Sequence, residues 1–321
     1  MIWAQKTLRD EISCAGIGLH SGQKVDLKIR PAPPNTGIIF RRVDLPGKPE
    51  VKALRDNVVD NRLATTIGEN GVTVSTVEHL LATFLCMGVD NAIVEVGAPE
   101  VPIMDGSAAP FVYLIKSVGL KAQSASKKVL ILKKPIRVKN GNSWIRMKPF
   151  PEGGLRIHFV IDFDHPLLKK QMYTFNFSAN QFEKEISRAR TFGFLKDVEY
   201  LRSQGLALGG SLDNAIVIDK FRVINKEGLR YQNEFVRHKI LDLLGDLALL
   251  GHPLIAKIDA YKAGHALNHQ LTQKLWVNKK ILEPATLTSS QTILKKRPQL
   301  IFLSIKLSAC VFHLSRTFFR I

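Results

Sequence analysis

Hydrophobic and polar residues follow two different periods in the first 120 positions of the chain. Residues 24–30 alternate between polar and apolar side chains, which is typical of a half-buried strand, and residues 91–96 predict another. Residues 75–85 instead carry apolar side chains at helical spacing. Ser75 or Thr76 would cap this helix, with Glu78 as the capping-box partner. A second helix is predicted over residues 108–117, after a turn at 105–107.

The second half of the chain repeats this order of elements. Strands are predicted over 129–138, 143–149, 155–163 and 215–218, and helices over 179–187 and 233–250. Residues 121–128 are polar and aperiodic, so we expect a structureless linker there. The predicted fold class is α+β, with two similar domains over residues 1–122 and 123–284, each a small sheet layered against helices. Ligand pockets are common between domains, so the active site is expected at the domain interface.

Residues 285–321 break this pattern and form an atypical basic and apolar tail. The whole chain of 321 residues has a formal net charge of +18. Such a charge is typical of proteins that bind nucleic acid, an anionic membrane surface or a phosphorylated substrate. The basic residues outside the tail form no long run and do not alternate with aromatic residues, which favours an anionic small molecule over nucleic acid. The tail's apolar stretch, interrupted by Lys306, would allow peripheral membrane contact.

Other bulk features favour a cytoplasmic protein. No apolar run reaches the roughly 18 residues that a membrane-spanning helix needs, so we expect no stable membrane insertion. The N-terminus lacks the basic and apolar regions of a signal peptide. Cys14, Cys86 and Cys310 are scattered, and an odd number of cysteines without a CxxC pair does not predict a disulfide framework.

The predicted helix over 233–250 contains the most informative polar residues. His238, Asp242 and Asp246 are spaced four residues apart, which places them in one stripe along a helix. Most of the neighbouring residues are apolar, so this helix should be buried. Buried carboxylates and histidines are costly unless they are paired or bind a metal. A surface salt bridge between His238 and Asp242 is the alternative, and the apolar flanks argue against it.

His238 and Asp242 would supply two ligands of a metal site. A catalytic zinc takes three protein ligands and one open position, and the adjacent pair Glu78 and His79 is the best source of the third. Neighbouring residues on a helix point about 100° apart, so His79 would bind the metal while Glu78 takes a proton from water. Two histidines and one carboxylate also suit Fe(II). The HExxH motif of metalloproteases is absent from the sequence.

Two further segments carry polar residues suited to chemistry. In residues 263–269, His265 would form a cationic donor oriented by the Asp246 carboxylate. In residues 187–194, the hydroxyl of Thr191 lies between basic and aromatic residues, which suits an oxyanion and a flat ring. The glycine-rich segment 16–22 lacks the GxGxxG spacing of dinucleotide-binding proteins and predicts a turn.

Taken together, these segments resemble the UDP-3-O-acyl-N-acetylglucosamine deacetylases of lipid A biosynthesis in Gram-negative bacteria. The matching segments occur in order along residues 5–270, and six ordered matches are far more specific than any one motif. They are GIGLHSG at 16–22, STVEHL at 75–80, PIMDGSA at 102–108, SRARTFGF at 187–194, FVRHKILDLLG at 235–245 and GHALN at 264–268.

The resemblance implies a zinc-dependent enzyme that removes the N-acetyl group from a UDP-sugar bearing an acyl chain and releases acetate. It implies zinc held by His79, His238 and Asp242, although Fe(II) would fit the same ligands. Each remaining role is also implied by the resemblance. Glu78 would be the general base and His265 the general acid, with Asp246 as the acid's orienting partner and Thr191 as an oxyanion donor. In substrate binding, Phe163 and Phe194 would pack on uridine, and Lys239 and Lys262 would pair with the phosphates.

The expected partner is therefore a small molecule, without nucleic acid, and we expect a monomer. Two alternatives stay open from the sequence. One is a different metal-dependent amidohydrolase on the same scaffold, since acyl-chain preference is not fixed by these residues. The other is an RNA-binding α+β module, which the basic charge favours and the clustered carboxylates oppose, because Asp and Glu repel phosphate.

Overall fold

The structure, a computed structural model, describes residues 3–166, 168–278 and 280–287. Strands and helices are mixed along these residues, which confirms the predicted α+β class. The first half of the chain contains ten strands and two α-helices among the residues that the structure describes. They are β1 (Ala4–Leu8), β2 (Ile12–Ile17), β3 (Lys24–Pro31), β4 (Ile38–Arg42), β5 (Glu50–Lys52), β6 (Val58–Asp60), β7 (Thr66–Glu69), β8 (Val72–Val74), α1 (Glu78–Met87), β9 (Ala92–Val96), α2 (Ala109–Val118) and β10 (Leu120–Ser126).

The strands of this half form a five-stranded sheet in the order β2-β3-β9-β4-β5 and a three-stranded sheet in the order β6-β7-β8. Strand β3 alternates between exposed and buried residues, as its period of two predicts. The predicted strand at 91–96 and the predicted helix at 108–117 correspond to β9 and α2. These sheets cover α1 with the apolar side chains of one hydrophobic cluster, which includes Leu27, Phe40 and Phe84.

The second half adds nine strands and four α-helices among the described residues. They are β11 (Lys128–Leu132), β12 (Ile136–Asn140), β13 (Ser143–Lys148), β14 (Leu155–Ile161), β15 (Gln171–Asn176), α3 (Ala179–Gln181), β16 (Phe192–Phe194), α4 (Leu195–Ser203), β17 (Ile216–Ile218), α5 (Glu234–Ala248), β18 (Leu254–Tyr261), α6 (His265–Val277) and β19 (Leu282–Thr286). Strand β18 pairs with β13, β14 and β11 in one seven-stranded sheet. Helices α5 and α6 pack against this sheet.

Helices α1 and α5 pack against each other where the two halves meet. Helix α1 contributes Leu80 and Phe84 to the first hydrophobic cluster and Ala82 and Cys86 to the second. Gly245 on α5 allows the close approach, because a Cβ atom there would overlap the backbone of Glu78. This contact brings the N-terminus of α1 beside the middle of α5. The predicted domain boundaries stay a prediction.

Several local predictions were wrong. The predicted linker 121–128 is almost entirely strand, because β10 pairs antiparallel with β1 more than 110 residues earlier in the chain. The predicted strand 129–138 is two strands, β11 and β12, and the predicted helix 179–187 is α3 followed by a π-helical turn at Phe182–Ile186. Neither Ser75 nor Thr76 caps α1: the helix begins at Glu78 without a side-chain cap.

The predicted tail begins inside β19, which pairs with β11 over Leu282–Thr286. Residues 288–321, including the apolar stretch and Cys310, lie outside the described residues. Cys14 and Cys86 are free thiols; Cys86 is buried and Cys14 is half-buried. Across the part of the chain that the structure describes, no helix is both long and apolar enough to cross a membrane.

Candidate metal centre and active site

Helix α5 presents its polar stripe towards the interior, as the sequence predicts. His238, Asp242 and Asp246 are each no more than 3% exposed, among the apolar side chains of the second hydrophobic cluster. The helical repeat places the three residues on one face, one turn apart. Burial of three ionisable groups in a row is stable only if each is paired or coordinated.

Glu78 and His79, at the N-terminus of α1, lie beside this polar stripe of α5, and both are buried. The chain enters the helix through Thr76, which has a left-handed φ of 56°. This conformation is unfavourable for a β-branched residue and costs on the order of 1–3 kcal/mol. It is held by the hydroxyl of Thr76, which donates to Oε1 of Glu100 at 2.8 Å. The strained turn thus sets the direction from which Glu78 and His79 approach α5.

His79, His238 and Asp242 form a group that could hold a metal ion, with ligand atoms all within 4.8 Å of one another. Nε2 of His238 lies 3.2 Å and Nε2 of His79 3.7 Å from Oδ1 of Asp242. Nδ1 of His238 donates to the carbonyl oxygen of Ala189 at 3.0 Å, which leaves Nε2 as the ligand atom. Two imidazoles and one carboxylate fit Zn²⁺, and they fit Fe²⁺ as well.

The protonation states of His238 and Asp242 favour metal binding. Burial lowers the pKa of His238 from 6.5 to about 3, so its imidazole is neutral at physiological pH. Burial alone would raise the pKa of Asp242, but His238, Lys239 and His79 together hold it well below its usual range. Lys239 donates from Nζ to Oδ2 of Asp242 at 2.6 Å, which leaves Oδ1 facing the histidines. A neutral imidazole and an ionised carboxylate are the forms that bind metals.

His265 and Asp246 form the predicted pair beside this group. Nδ1 of His265 lies 2.9 Å from Oδ2 of Asp246, and Nε2 of His265 faces Glu78 Oε1 and Asp242 Oδ2 at 3.8 Å each. Burial would lower the pKa of His265, but the carboxylates of Asp246, Asp242 and Glu78 outweigh it and raise the pKa to about 9. The ring is therefore cationic at neutral pH. Its Nε2–H faces the side of the site where Glu78 and the candidate ligand Asp242 lie.

Glu78 is the carboxylate best suited to accept a proton in this cluster. Burial raises its pKa above the usual value, and the nearby charges of His265 and His79 act against that rise. A raised pKa makes a carboxylate a stronger base. A carboxylate beside a cationic imidazole supplies both a proton acceptor and a proton donor, which is the pattern of acid–base catalysis.

Thr65 is a site residue that the sequence analysis missed. Its N–H donates to Oε2 of Glu78 at 3.1 Å, and its hydroxyl donates to Oδ1 of Asp246 at 2.5 Å. Asn268 completes the shell of Asp246 by donating to Oδ2 at 2.8 Å. No local motif marks Thr65, which lies in a loop between β6 and β7. Asn268 lies three residues after His265 in α6, and its place in the GHALN segment was the available signal.

Thr191 directly precedes β16 and lies two residues after the carbonyl that accepts from His238. Its N–H donates to the carbonyl of Gly106 at 2.8 Å, and its own carbonyl accepts from the N–H of Ile216 at 2.8 Å. The half-buried side chain of Thr191 is thus carried on a segment fixed from both sides. The oxyanion role of its hydroxyl stays a prediction.

The predicted aromatic residues Phe163 and Phe194 lie together, with ring centroids 6.0 Å apart. Phe192, which the sequence analysis did not single out, contacts Phe163 at 5.9 Å and the ring of His238 at 6.2 Å. The aromatic cluster therefore extends through Phe192 to His238, one of the three candidate metal ligands. A clue was present in the sequence, since Phe192 directly follows Thr191.

The two predicted lysines lie in different environments. Nζ of Lys239 is 5.6 Å from the centre of the Phe192 ring as well as bonded to Asp242, so it lies within the cluster. Lys262 is exposed at the end of β18, with a left-handed φ of 52°, three residues before His265. The structure therefore brings Lys239 into the site and leaves Lys262 at the surface. Phosphate binding by either lysine stays a prediction.

Comparison with known proteins matches this architecture to one family. The family model described as UDP-3-O-acyl N-acetylglycosamine deacetylase matches residues 5–277. The chain is 53% identical over 290 residues to a UDP-3-O-acyl-N-acetylglucosamine deacetylase of Idiomarina loihiensis, covering 89% of this chain and 94% of the relative. The enzyme of the same name from Saccharophagus degradans is 56% identical over 268 residues, covering 83% of this chain and 88% of the relative.

A third relative extends the match nearly to both ends of its own sequence. The UDP-3-O-acyl-N-acetylglucosamine deacetylase of Nitrosococcus oceani is 51% identical over 299 residues, covering 92% of this chain and 98% of the relative. The residues matched by the family model include every residue of the buried cluster described above. By the extent of the family match and the identity to these relatives, the chain belongs to the UDP-3-O-acyl N-acetylglycosamine deacetylase family.

Proposed function

We propose that this protein hydrolyses the N-acetyl group of UDP-3-O-acyl-N-acetylglucosamine, releasing acetate, as an early step of lipid A biosynthesis. The observation that carries the proposal is the arrangement of a buried candidate metal group beside a base and a cationic acid. His79, His238 and Asp242 lie next to Glu78 and His265. Membership of the deacetylase family supports the same substrate and reaction.

His79, His238 and Asp242 would hold the metal, and we propose Zn²⁺. When bound, zinc acts as a Lewis acid that polarises a carbonyl oxygen and lowers the pKa of water. The two imidazoles are buried, and the Ala189 carbonyl orients the His238 ring. Fe²⁺ remains the alternative metal, because the same ligand set accepts it.

The protein's own groups divide the proton transfers of amide hydrolysis. Glu78, with a pKa raised by burial, would accept the proton of the attacking water. His265, cationic and oriented by Asp246, would stabilise the oxyanion of the tetrahedral intermediate and donate a proton to the leaving amine. The hydroxyl of Thr191 would donate a hydrogen bond to the same oxyanion. The surroundings of each group thus favour the part proposed for it.

Recognition of the rest of the substrate is assigned to the aromatic and basic residues around the cluster. Phe163 and Phe194 would pack on the uracil ring. Lys239 and Lys262 would pair with the anionic phosphates, Lys262 from the surface and Lys239 from within the site. The partner is thus a small UDP-sugar bearing an acyl chain. We propose that the protein acts as a monomer in the cytoplasm.

Acetate release from UDP-3-O-acyl-N-acetylglucosamine tests the proposal directly. The purified protein, loaded with zinc, should release acetate, whereas H79A and H238A should lose both bound zinc and activity. His158 is half-buried on β14 and bonds only to Thr174 among the described contacts, so H158A is the matched control and should keep both. Full activity in H79A or H238A would reject the metal assignment.

Reconstitution of metal-free protein separates the two candidate metals. Equal amounts of Zn²⁺ and of Fe²⁺ under anaerobic conditions should each be compared for acetate release and for metal content. Zinc should restore activity in proportion to the metal bound. Activity with iron alone would replace zinc by iron in the proposal and leave the reaction unchanged.

A further inference from the structure

The peptide group between Ala189 and Arg190 is held at both ends by side chains of α5. Its carbonyl oxygen accepts from Nδ1 of His238 at 3.0 Å, and its N–H donates to Oε1 of Glu234 at 3.0 Å. Glu234 and His238 are four residues apart on α5, so they lie on one face, one turn apart. A single peptide group therefore connects a buried carboxylate to a proposed metal ligand.

Glu234 is fully buried and is surrounded by hydrogen-bond donors. In addition to the N–H of Arg190, its carboxylate accepts from Nε of the same arginine at 2.9 Å and from the N–H of Arg230 at 2.6 Å. Arg190 is itself only 2% exposed and donates onward to Glu227 and to the carbonyl of Gly228. Such a saturated ion pair holds its members in one geometry.

We infer that Glu234 is a positioning residue for the metal ligand His238, acting through the peptide group between Ala189 and Arg190. The inference rests on the proposed function, because it takes His238 as a ligand. Metal-binding histidines usually donate their second ring N–H to a carboxylate or carbonyl, which fixes the ring and raises its basicity. Hydrogen bonds in a chain polarise one another, so the carboxylate on the N–H makes the Ala189 carbonyl a stronger acceptor.

The same peptide group also fixes the next residue, Thr191. Because Arg190 N is anchored on Glu234 and Thr191 N on the Gly106 carbonyl, consecutive main-chain groups are held on two different parts of the fold. A shift of the 189–190 peptide would therefore move the Thr191 side chain as well as the His238 ring. Glu234 thus positions a metal ligand and the proposed oxyanion donor together.

Zinc affinity of two variants that differ in one charge tests this inference. R190M keeps the main-chain N–H that donates to Glu234 but removes the guanidinium. The double variant R190M/E234Q also replaces the carboxylate by an amide and leaves no unpaired buried charge, so it should fold. Zn²⁺ binding is measured by competition with a chelator, and folding by circular dichroism. D44N, which breaks the Arg42–Asp44 pair away from the site, is the control.

The double variant should bind zinc at least about tenfold more weakly than R190M, as loss of a histidine's outer partner does in other zinc sites. D44N should keep the wild-type affinity, and R190M should lose less affinity than the double variant, because its Glu234 carboxylate still accepts from the N–H of residue 190. Equal zinc affinity in R190M and R190M/E234Q would overturn the inference. If both variants lost the same affinity relative to the wild type, the ion pair would act only as a structural clamp.

This comparison is separate from the test of the proposed function. If the wild type binds zinc but releases no acetate, the proposed reaction fails while the zinc affinities still decide the role of Glu234. If the wild type releases acetate and the two variants bind zinc equally, only the role of Glu234 fails. E234Q alone adds a second arm, and its zinc affinity should match that of the double variant.

Discussion

Thr65 connects the proposed base, Glu78, to Asp246, the partner of the proposed acid. Its main chain donates to Glu78 and its side chain to Asp246, so a shift of Thr65 would alter both the base and the acid's partner. Sequence patterns cannot reveal such a residue, because Asp246 is 181 positions away and no spacing rule relates them. The approach of His238 to Asp242 was predictable, since helical periodicity aligns the two residues on α5.

Thr65→Val should lower kcat/KM without preventing folding. Valine has the shape of threonine but lacks the hydroxyl, so Oδ1 of Asp246 loses its short hydrogen bond. An unsatisfied buried acceptor costs about 1–3 kcal/mol, which corresponds to a loss on the order of tenfold if it falls on the transition state. Steady-state acetate release measures the effect, and Thr65→Ser, which restores the hydroxyl, should recover most of the activity.

The control for this substitution is Thr272→Val. Thr272 is also buried, but its hydroxyl donates only to the carbonyl of His269 within α6 among the described contacts. This variant should keep wild-type kcat/KM. Equal losses in the two valine variants would show that the effect of Thr65 is general destabilisation.

The pKa of His265 predicts how the stability of the metal-free protein changes with pH. Because its pKa is raised from 6.5 to about 9, the folded protein binds this proton more tightly than the unfolded chain does. The stabilisation is therefore complete below about pH 6.5 and is lost as the pH rises towards 9. Urea unfolding of the chelator-treated protein at several pH values should show a fall in unfolding free energy over this window. H265Q should show a smaller fall, and identical slopes in both proteins would contradict the assignment.

At the scale of elements, the approach of α1 to α5 sets the geometry of the site. The regular elements were predictable where one face is buried, as in β3, β9 and α5, because their periodicity is local. The β10 strand was not, because its pairing with β1 depends on residues more than 110 positions away. The start of α1 was also missed, since it follows a strained turn at Thr76 that a capping motif does not describe.

Gly245→Ala should separate the two helices and weaken metal binding. A methyl group at this position would overlap the main chain of Glu78, which cannot move without moving His79. Overpacking typically costs about 1–3 kcal/mol, and here it would also displace one candidate ligand relative to the other two. Chelator competition should show weaker zinc binding, and thermal unfolding a lower Tm.

Gly97→Ala is the matched control for the helix contact. Its new methyl group would lie 3.4 Å or more from the neighbouring atoms of Asp26, in ordinary van der Waals contact. Zinc affinity should therefore be unchanged. Wild-type affinity in Gly245→Ala would mean that the helices adjust without disturbing the ligands.

At the scale of the whole molecule, the net charge of the chain is opposite in sign to the carboxylates of the buried site. The chain carries a net charge of +18, whereas the buried cluster concentrates the carboxylates of Glu78, Asp242 and Asp246. A basic surface attracts an anionic diphosphate from solution, and the buried carboxylates are then available for metal and proton chemistry. Composition alone indicated the positive charge but could not distinguish nucleic acid from a nucleotide sugar; the ordered site segments made that distinction.

Long-range attraction of this kind should make kcat/KM for the UDP-sugar fall with rising salt. Screening shortens the Debye length from about 30 Å at 0.01 M to about 10 Å at 0.1 M ionic strength, which weakens attraction between the basic surface and the phosphates. The fall in kcat/KM should come from a rise in KM, with kcat unchanged, because salt screens the buried acid–base groups much less. K262Q should reduce the salt dependence, since Lys262 is exposed three residues before His265. K121Q, which changes an exposed lysine on β10, should leave it unchanged, and equal salt slopes in both variants would remove Lys262 from phosphate recognition.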